Sequence, residues 1–195
     1  MAVHSNSTFR LPHDYVALDI ETTGFSPRTE AITEIGAVRI RDGKIVGTFT
    51  QLVDPGKPIP SRITHLTGIG DAMVAGQPPI DIVMPTFIDW LASDIIVGHN
   101  VRFDLSFLTE AALRTVGHPA GFHAPSLDTM TIDKRLFPSE RHRLADLIVR
   151  YGIADTEEHR ALSDATQTYQ CLEWQRRYIG ANDSVTTSVN TRFRV

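Results

Sequence analysis

The sequence predicts an α/β fold in which a sheet of mixed strand direction carries helices on both faces, three antiparallel strands coming first and parallel strands after them. Three observations lead there. Apolar runs at residues 15–21, 31–41 and 44–53 follow one another closely, the last two meeting across Asp42-Gly43. Helical and strand-like patterns then alternate along the rest of the chain. Hydrophobic residues at 42% and charged residues at 22% of 195 positions are ordinary values for a soluble domain with a substantial core.

In the first run the side chains alternate between faces, so Val16, Leu18 and Ile20 share one side while Ala17, Asp19 and Glu21 share the other. Gly24 and Pro27 end this strand, which is expected at the centre of the sheet with its carboxyl end where ligands collect in open α/β folds. Asp42-Gly43 predicts a type I′ hairpin, since both central positions of that turn need positive φ. Prolines 55, 58 and 60 then break the pattern, and a short helical piece carries Ile63, His65, Leu66 and Thr67 before Gly68. Ile80, Val83, Met84, Phe87, Ile88 and Leu91 recur at helical spacing, and 94–98 reads as a short buried strand. Asn100 is the expected N-cap of a helix to about Val116, and residues 126–129 a strand end leading into a helix over 130–137. Residues 143–151 and 160–179 read as further helices. The expected domain spans 14–180, with a loose leader at 1–13 and a polar tail without a helical stripe at 181–195.

Composition excludes several classes. No apolar stretch is long enough for a membrane helix and the first ten residues lack the apolar core of a signal peptide, so a cytoplasmic protein with no membrane partner is expected. Cys171 is the single cysteine, which rules out an intrachain disulfide or a cysteine-rich zinc site. The formal charge of −4 argues against coating nucleic acid by bulk electrostatics. It leaves nucleic acid open as a substrate, because a site built of carboxylates contributes negative charge that bound cations cancel.

Acids recur where acids are expensive. Asp19 and Glu21 project from one strand face with Cα atoms roughly 7 Å apart. An isolated pair of this kind would be read as one acid bound to an arginine and one solvated. Asp104, however, sits among apolar residues at the start of a buried helix, and Asp164 shares the inward face of the last helix with Ala161, Ala165, Thr168 and Leu172. Four carboxylates carry −4, which two divalent cations balance, and oxygen-only ligands favour Mg²⁺ or Mn²⁺. Such a centre suits hydrolysis of a phosphate ester. His159, five residues before Asp164, belongs in the loop ahead of the helix, where a neutral imidazole could take a proton from the attacking water.

Asp19-Ile-Glu21-Thr-Thr-Gly24, Gly98-His-Asn100 with Phe103-Asp104, and His159 with Asp164 together resemble the DEDDh exonucleases, the DnaQ-like branch of the ribonuclease H-like superfamily, which includes proofreading subunits of bacterial DNA polymerase III. The resemblance covers about residues 14–178 and extends to Ile63 through Ile69, Leu127-Asp128-Thr129 and Leu144 to Gly152. It implies that Asp19, Glu21, Asp104 and Asp164 hold two metal ions, Asp19 touching both, and that His159 is the general base for attack on the last phosphodiester of a 3′ end, releasing a nucleoside monophosphate. It also implies that main chain at Thr22 and Thr23 lies near the terminal 3′ hydroxyl, with Leu66 and Phe103 as apolar walls against the last bases. The expected partners are 3′ ends of single-stranded or frayed DNA and a DNA polymerase. Where the epsilon subunit has a histidine, this chain has Thr67, and His65 does not clearly replace it.

Two alternative functions share these residues: an exonuclease for RNA or short oligonucleotides, and a non-catalytic binding module of the same fold. The basic stretch Lys134, Arg135, Arg141, His142 and Arg143 reads either as a solvated loop or as a guide for the nucleic-acid backbone. Asp128 reads either as support behind the metal ligands or as a helix cap.

Overall fold

Strict alternation in the first strand builds a sheet that is buried on both sides. A computed structural model describes residues 11–191, with side chains as far as Asn182. Strand β1 (Tyr15–Thr22) pairs antiparallel with β2 (Ile32–Arg41), which pairs antiparallel with β3 (Lys44–Leu52). Both Asp42 and Gly43 adopt positive φ, as the type I′ hairpin requires. Helices α1 (Ser61–Thr67), α2 (Asp71–Val74) and α3 (Ile80–Leu91) follow, and β4 (Ile96–Gly98) returns to the other side of β1. Then come α4 (Arg102–Thr115), β5 (Ser126–Asp128), α5 (Thr129–Leu136), α6 (Leu144–Arg150) and α7 (Ala161–Thr191).

The sheet order is β3-β2-β1-β4-β5, with β4 and β5 parallel to β1. β1 is therefore the middle strand, and the chain changes direction of travel across the sheet between β1 and β4. Val16, Leu18, Ile20, Ile35 and Ala37 pack with Val83, Met84 and Phe87 of α3 and with Phe107 and Leu108 of α4. On the opposite face Tyr15, Ala17, Val38 and Ile40 pack with Ile132 of α5 and Leu172 of α7. Among the described residues no helix is long and apolar enough to cross a membrane.

The structure corrects several boundaries. Helix α7 continues to Thr191, so the expected polar tail from Ala181 begins as helix. Helical periodicity in sequence marks an apolar stripe, and this polar segment carries none to read. Residues 1–10 of the expected leader lie outside the described residues, but Leu11 is buried and Arg176 donates to the carbonyls of Leu11 and Pro12, which fastens this stretch to α7. Asn100 does not cap α4. It adopts φ of 58° and its main-chain N–H donates to Asp128, while Val101 flanks the helix start.

Gly36 shows how closely α7 lies on the sheet. A Cβ there would sit 2.2 Å from both the Ala161 carbonyl carbon and the Leu162 nitrogen, which are backbone atoms that cannot turn aside. Gly36→Ala is expected to lower stability by about 1–3 kcal/mol in urea denaturation. It should also lower any activity that depends on the first turn of α7, and a variant equal to wild type in both measurements would show that this helix can shift freely.

Candidate active site

The strand alternation that buries Val16, Leu18 and Ile20 on one side of β1 turns Asp19 and Glu21 toward α7 on the other. Register places Gly36 of β2 opposite Asp19, and Glu34 opposite Glu21. The missing side chain at Gly36 lets the start of α7 descend onto the sheet, which brings Asp164 of its first turn down to the acids of β1. Carboxylate oxygens of Asp19, Glu21 and Asp164 all lie within 4.8 Å of one another. Asp104 arrives from the opposite helical layer. β4 ends at Gly98, and past that end the Ile20 N–H donates to Asp104 Oδ1 at 3.2 Å. After burial, the Asp104 charge is the strongest influence on the Asp19 carboxyl. The structure thus gathers all four predicted acids at the point where the chain switches sides of β1.

Two anchors hold the contributing helices. Glu34, 2% exposed, accepts from both arms of the Arg160 guanidinium at 2.7 and 3.0 Å and from the Ala161 N–H at 3.0 Å. This carboxylate caps α7 and clamps the residue that follows His159. Asp128 accepts from the Asn100 N–H at 2.8 Å and from the Met130 N–H at 3.1 Å, so it caps α5 and fixes the turn into α4. His99 bridges Thr129 Oγ1 and the His142 carbonyl, at 2.9 and 2.8 Å, which ties the same turn to the loop before α6. The basic stretch is engaged locally. His142 contacts the buried Asp133 carboxylate, and Arg143 pairs with Asp146 at the start of α6.

His159 lies in the loop before α7, in the left-handed region with φ of 51°. Its ring is part exposed, with Nδ1 3.4 Å from Glu157 Oε1. One ligand-type atom from each of Glu157, His159 and Asp164 falls within 4.8 Å of the other two. His159 therefore stands beside the acids, as its place in the sequence suggested.

Crowding raises the proton affinity of the whole group. Burial, then the charges of Asp104, Glu21 and Asp164, hold the Asp19 carboxyl well above the usual carboxylate range. Burial, then Asp164, Glu34 and Asp104, push Glu21 up to about 9. Burial pushes Asp104 up to about 8, and burial with Glu157 and Glu158 pushes Asp164 up to about 7. Among the described residues Asp164 Oδ1 is buried without a hydrogen-bond partner. An oxygen that is costly to leave unpaired, in a group of acids that repel one another, is the donor set that a hard divalent cation satisfies. The residues fit Mg²⁺ or Mn²⁺.

The raised values give a signed pH dependence. In the metal-free chain these groups bind protons more tightly folded than unfolded, so their stability contribution is full below the ordinary carboxylate range and is lost as pH rises through about 7 to 9. With chelator present, Tm is expected to fall from about pH 5 to about pH 9, less steeply in Glu21→Gln, and Mn²⁺ should raise Tm most at the alkaline end. A flat Tm profile in chelator would contradict the electrostatic picture.

The remaining predicted residues are Thr22, Thr23, Leu66 and Phe103. The Thr22 hydroxyl donates to the Gly24 carbonyl at 2.6 Å, and the Thr23 hydroxyl donates to Glu30 Oε2, which also accepts from Lys57 at 2.9 Å. Both hydroxyls are spent inside the turn, where Thr22 and Thr23 are buried and the Thr23 N–H donates to the Ala31 carbonyl at 2.8 Å. Leu66 is exposed on α1, and Phe103 is half-buried, packed on Phe107 at 5.1 Å. Phe25, at 75% exposure, meets Phe103 edge-on at 6.5 Å. Sequence reasoning missed Phe25, Glu34 and Glu157. An aromatic directly after the Gly24 turn and an acid inside the apolar run of β2 were signals for the first two; Glu157, in a polar loop, offered none.

Comparison with known proteins identifies the family. The exonuclease family model RNase_T matches residues 16–172. A PolC-type DNA polymerase III of Clostridium perfringens is 38% identical over 165 residues, which cover 83% of this chain but 11% of that protein. The DNA polymerase III subunit epsilon of Aquifex aeolicus is 37% identical over 155 residues, covering 79% of this chain and 76% of the subunit. Among solved structures, exonuclease X in complex with 5′ overhanging duplex DNA superposes with a TM-score of 0.65 at 28% identity, over 85% of this chain and 93% of that one. Exonuclease I, at 19% identity, shares the fold with a TM-score of 0.74 over 87% of this chain and 43% of that one. The mixed sheet is thus a ribonuclease H-like exonuclease fold, and the chain belongs to the DnaQ-like branch of the RNase_T exonuclease family.

Proposed function

We propose that the protein is a metal-dependent 3′-to-5′ exonuclease that hydrolyses the terminal phosphodiester of DNA and releases nucleoside 5′-monophosphates, in proofreading or repair in the cytoplasm. The observation that carries this reading is the convergence of Asp19, Glu21, Asp104 and Asp164 on one point, with His159 alongside. Two divalent cations held by these four carboxylates would supply the charge neutralisation and Lewis acidity that phosphodiester cleavage needs.

The chain's own groups perform the remaining tasks. His159 accepts the proton of the attacking water, which its part-exposed ring can reach from the edge of the site. The turn from Thr22 to Gly24, stiffened by its internal hydrogen bonds and by Glu30, offers main-chain groups to the terminal nucleotide. Leu66, Phe103 and Phe25 provide apolar surfaces for the last bases. Stacking of that kind accepts any base, as removal of nucleotides without sequence choice requires. The exonuclease X complex with duplex DNA and the two DNA polymerase III relatives favour DNA over RNA and support a polymerase partner.

Cleavage of a 5′-labelled DNA strand in Mg²⁺ or Mn²⁺ should give a ladder shortening from the 3′ end, and a 3′-labelled strand should release labelled mononucleotide first. Asp19→Asn should lower the rate on the order of 10²–10³-fold or more, and His159→Asn roughly 10²–10⁴-fold. Release of oligonucleotides from within the strand, or unchanged cleavage by Asp19→Asn, would overturn the assignment. A faster rate on matched RNA would move the substrate class.

A further inference from the structure

Beside the four acids lies a second group of donors with a different chemistry. Glu157, His159 and Asp164 each bring one ligand atom to within 4.8 Å of the other two. The Nδ1 of His159 and Oε1 of Glu157 are 3.4 Å apart, which is long for an N–H···O hydrogen bond. Two tetrahedral ligands bound about 2.0–2.1 Å from a zinc ion are separated by about 3.4 Å. Glu157 is fixed from behind, because its Oε2 accepts from the Ala145 N–H at 3.1 Å at the start of α6. Asp164 is 3% exposed, and its Oδ1 has no partner among the described residues.

We infer that Glu157, His159 and Asp164 form a zinc site, with three protein ligands and an open fourth position, that silences the nuclease when filled. The inhibitory consequence, though not the binding, rests on the exonuclease reading above. An imidazole nitrogen with two carboxylates suits zinc, whereas Mg²⁺ keeps to oxygen and retains much of its water. The two donor sets share Asp164. Zinc here withdraws that ligand from the four-acid group and occupies the imidazole proposed as base, so the ion acts without blocking Asp19 or Glu21.

The test separates the two sites with Asp19→Asn, which breaks the four-acid group and leaves all three proposed zinc ligands in place. Calorimetric titration of metal-free Asp19→Asn with Zn²⁺, without Mg²⁺, should show one site, and NMR signals of the His159 imidazole should shift as it fills. Adding Glu157→Gln should weaken that site at least ~10-fold. His159→Asn is a second removal of a ligand, and asparagine accepts the left-handed backbone found there. Zinc affinity in Asp19→Asn that neither substitution changes, or an imidazole signal that stays fixed on saturation, would overturn the site. In wild type with Mg²⁺, micromolar Zn²⁺ should slow cleavage, with the half-inhibiting concentration raised by Glu157→Gln relative to that variant's own uninhibited rate. Zinc bound as described, in a protein with no Mg²⁺-supported cleavage, would refute the nuclease reading and leave the zinc site standing.

Discussion

Repulsion among acids at the carboxyl end of β1 is the constraint around which the rest is built. Left to themselves, Asp19, Glu21, Asp104 and Asp164 would separate or reach for solvent, since each raises the cost of charge on a neighbour. Separation is prevented because each acid sits on an element packed for other reasons. β1 is locked between β2 and β4, α4 packs its Phe107 and Leu108 on one face of the sheet, and α7 packs Leu172 on the other. The hydrophobic layers hold in place a polar group that would not assemble by its own interactions, and a site on rigid elements keeps its geometry between turnovers.

The short length of β4 matters as much as the acids. A longer parallel neighbour would cover the Ile20 N–H with a ladder carbonyl, and Asp104 would lose the main-chain donor that draws it to β1. Ending at Gly98 opens that flank of β1. The turn that follows is then secured from outside by Asp128 and His99, so the loss of strand pairing does not become looseness in α4. Glu34 has the corresponding role for α7. It is itself an acid near the site and adds to the raised proton affinity of Glu21 and Asp164, yet its own charge is balanced by the Arg160 fork. An acid paired in this way positions its neighbours.

Period and breaker residues made much of this readable from sequence. Alternation in β1 fixed which face carried Asp19 and Glu21, and Asp42-Gly43 fixed the hairpin that gives β2 its register. Spacing on α7 placed Asp164 inward. What sequence reasoning missed depends on contacts across the fold. Glu34 stands out as an acid in an apolar run, but its partners Arg160 and the Ala161 N–H come from the crossing of α7 over Gly36, which no local pattern encodes. Asn100 looked like a cap because its residue type favours one, but asparagine also tolerates positive φ, and the turn uses it in that second capacity. The extension of α7 to Thr191 was invisible because the sequence there is polar and has no apolar repeat at helical spacing.

All five residues proposed for the chemistry lie between Asp19 and Asp164, inside the span matched by the family model. The related segment makes up most of the Aquifex aeolicus epsilon subunit and a small fraction of the Clostridium perfringens PolC-type polymerase. A unit whose acids come from its own central strand and the two helices flanking it carries its centre within one packed body. Its surroundings would then act on what reaches the site rather than on the carboxylates. Within this chain the parts open to such influence are those outside the packed layers: the exposed Phe25 ring, Leu66 on a short helix, and the loop that carries Glu157 and His159. Rigid elements fix where the charge is.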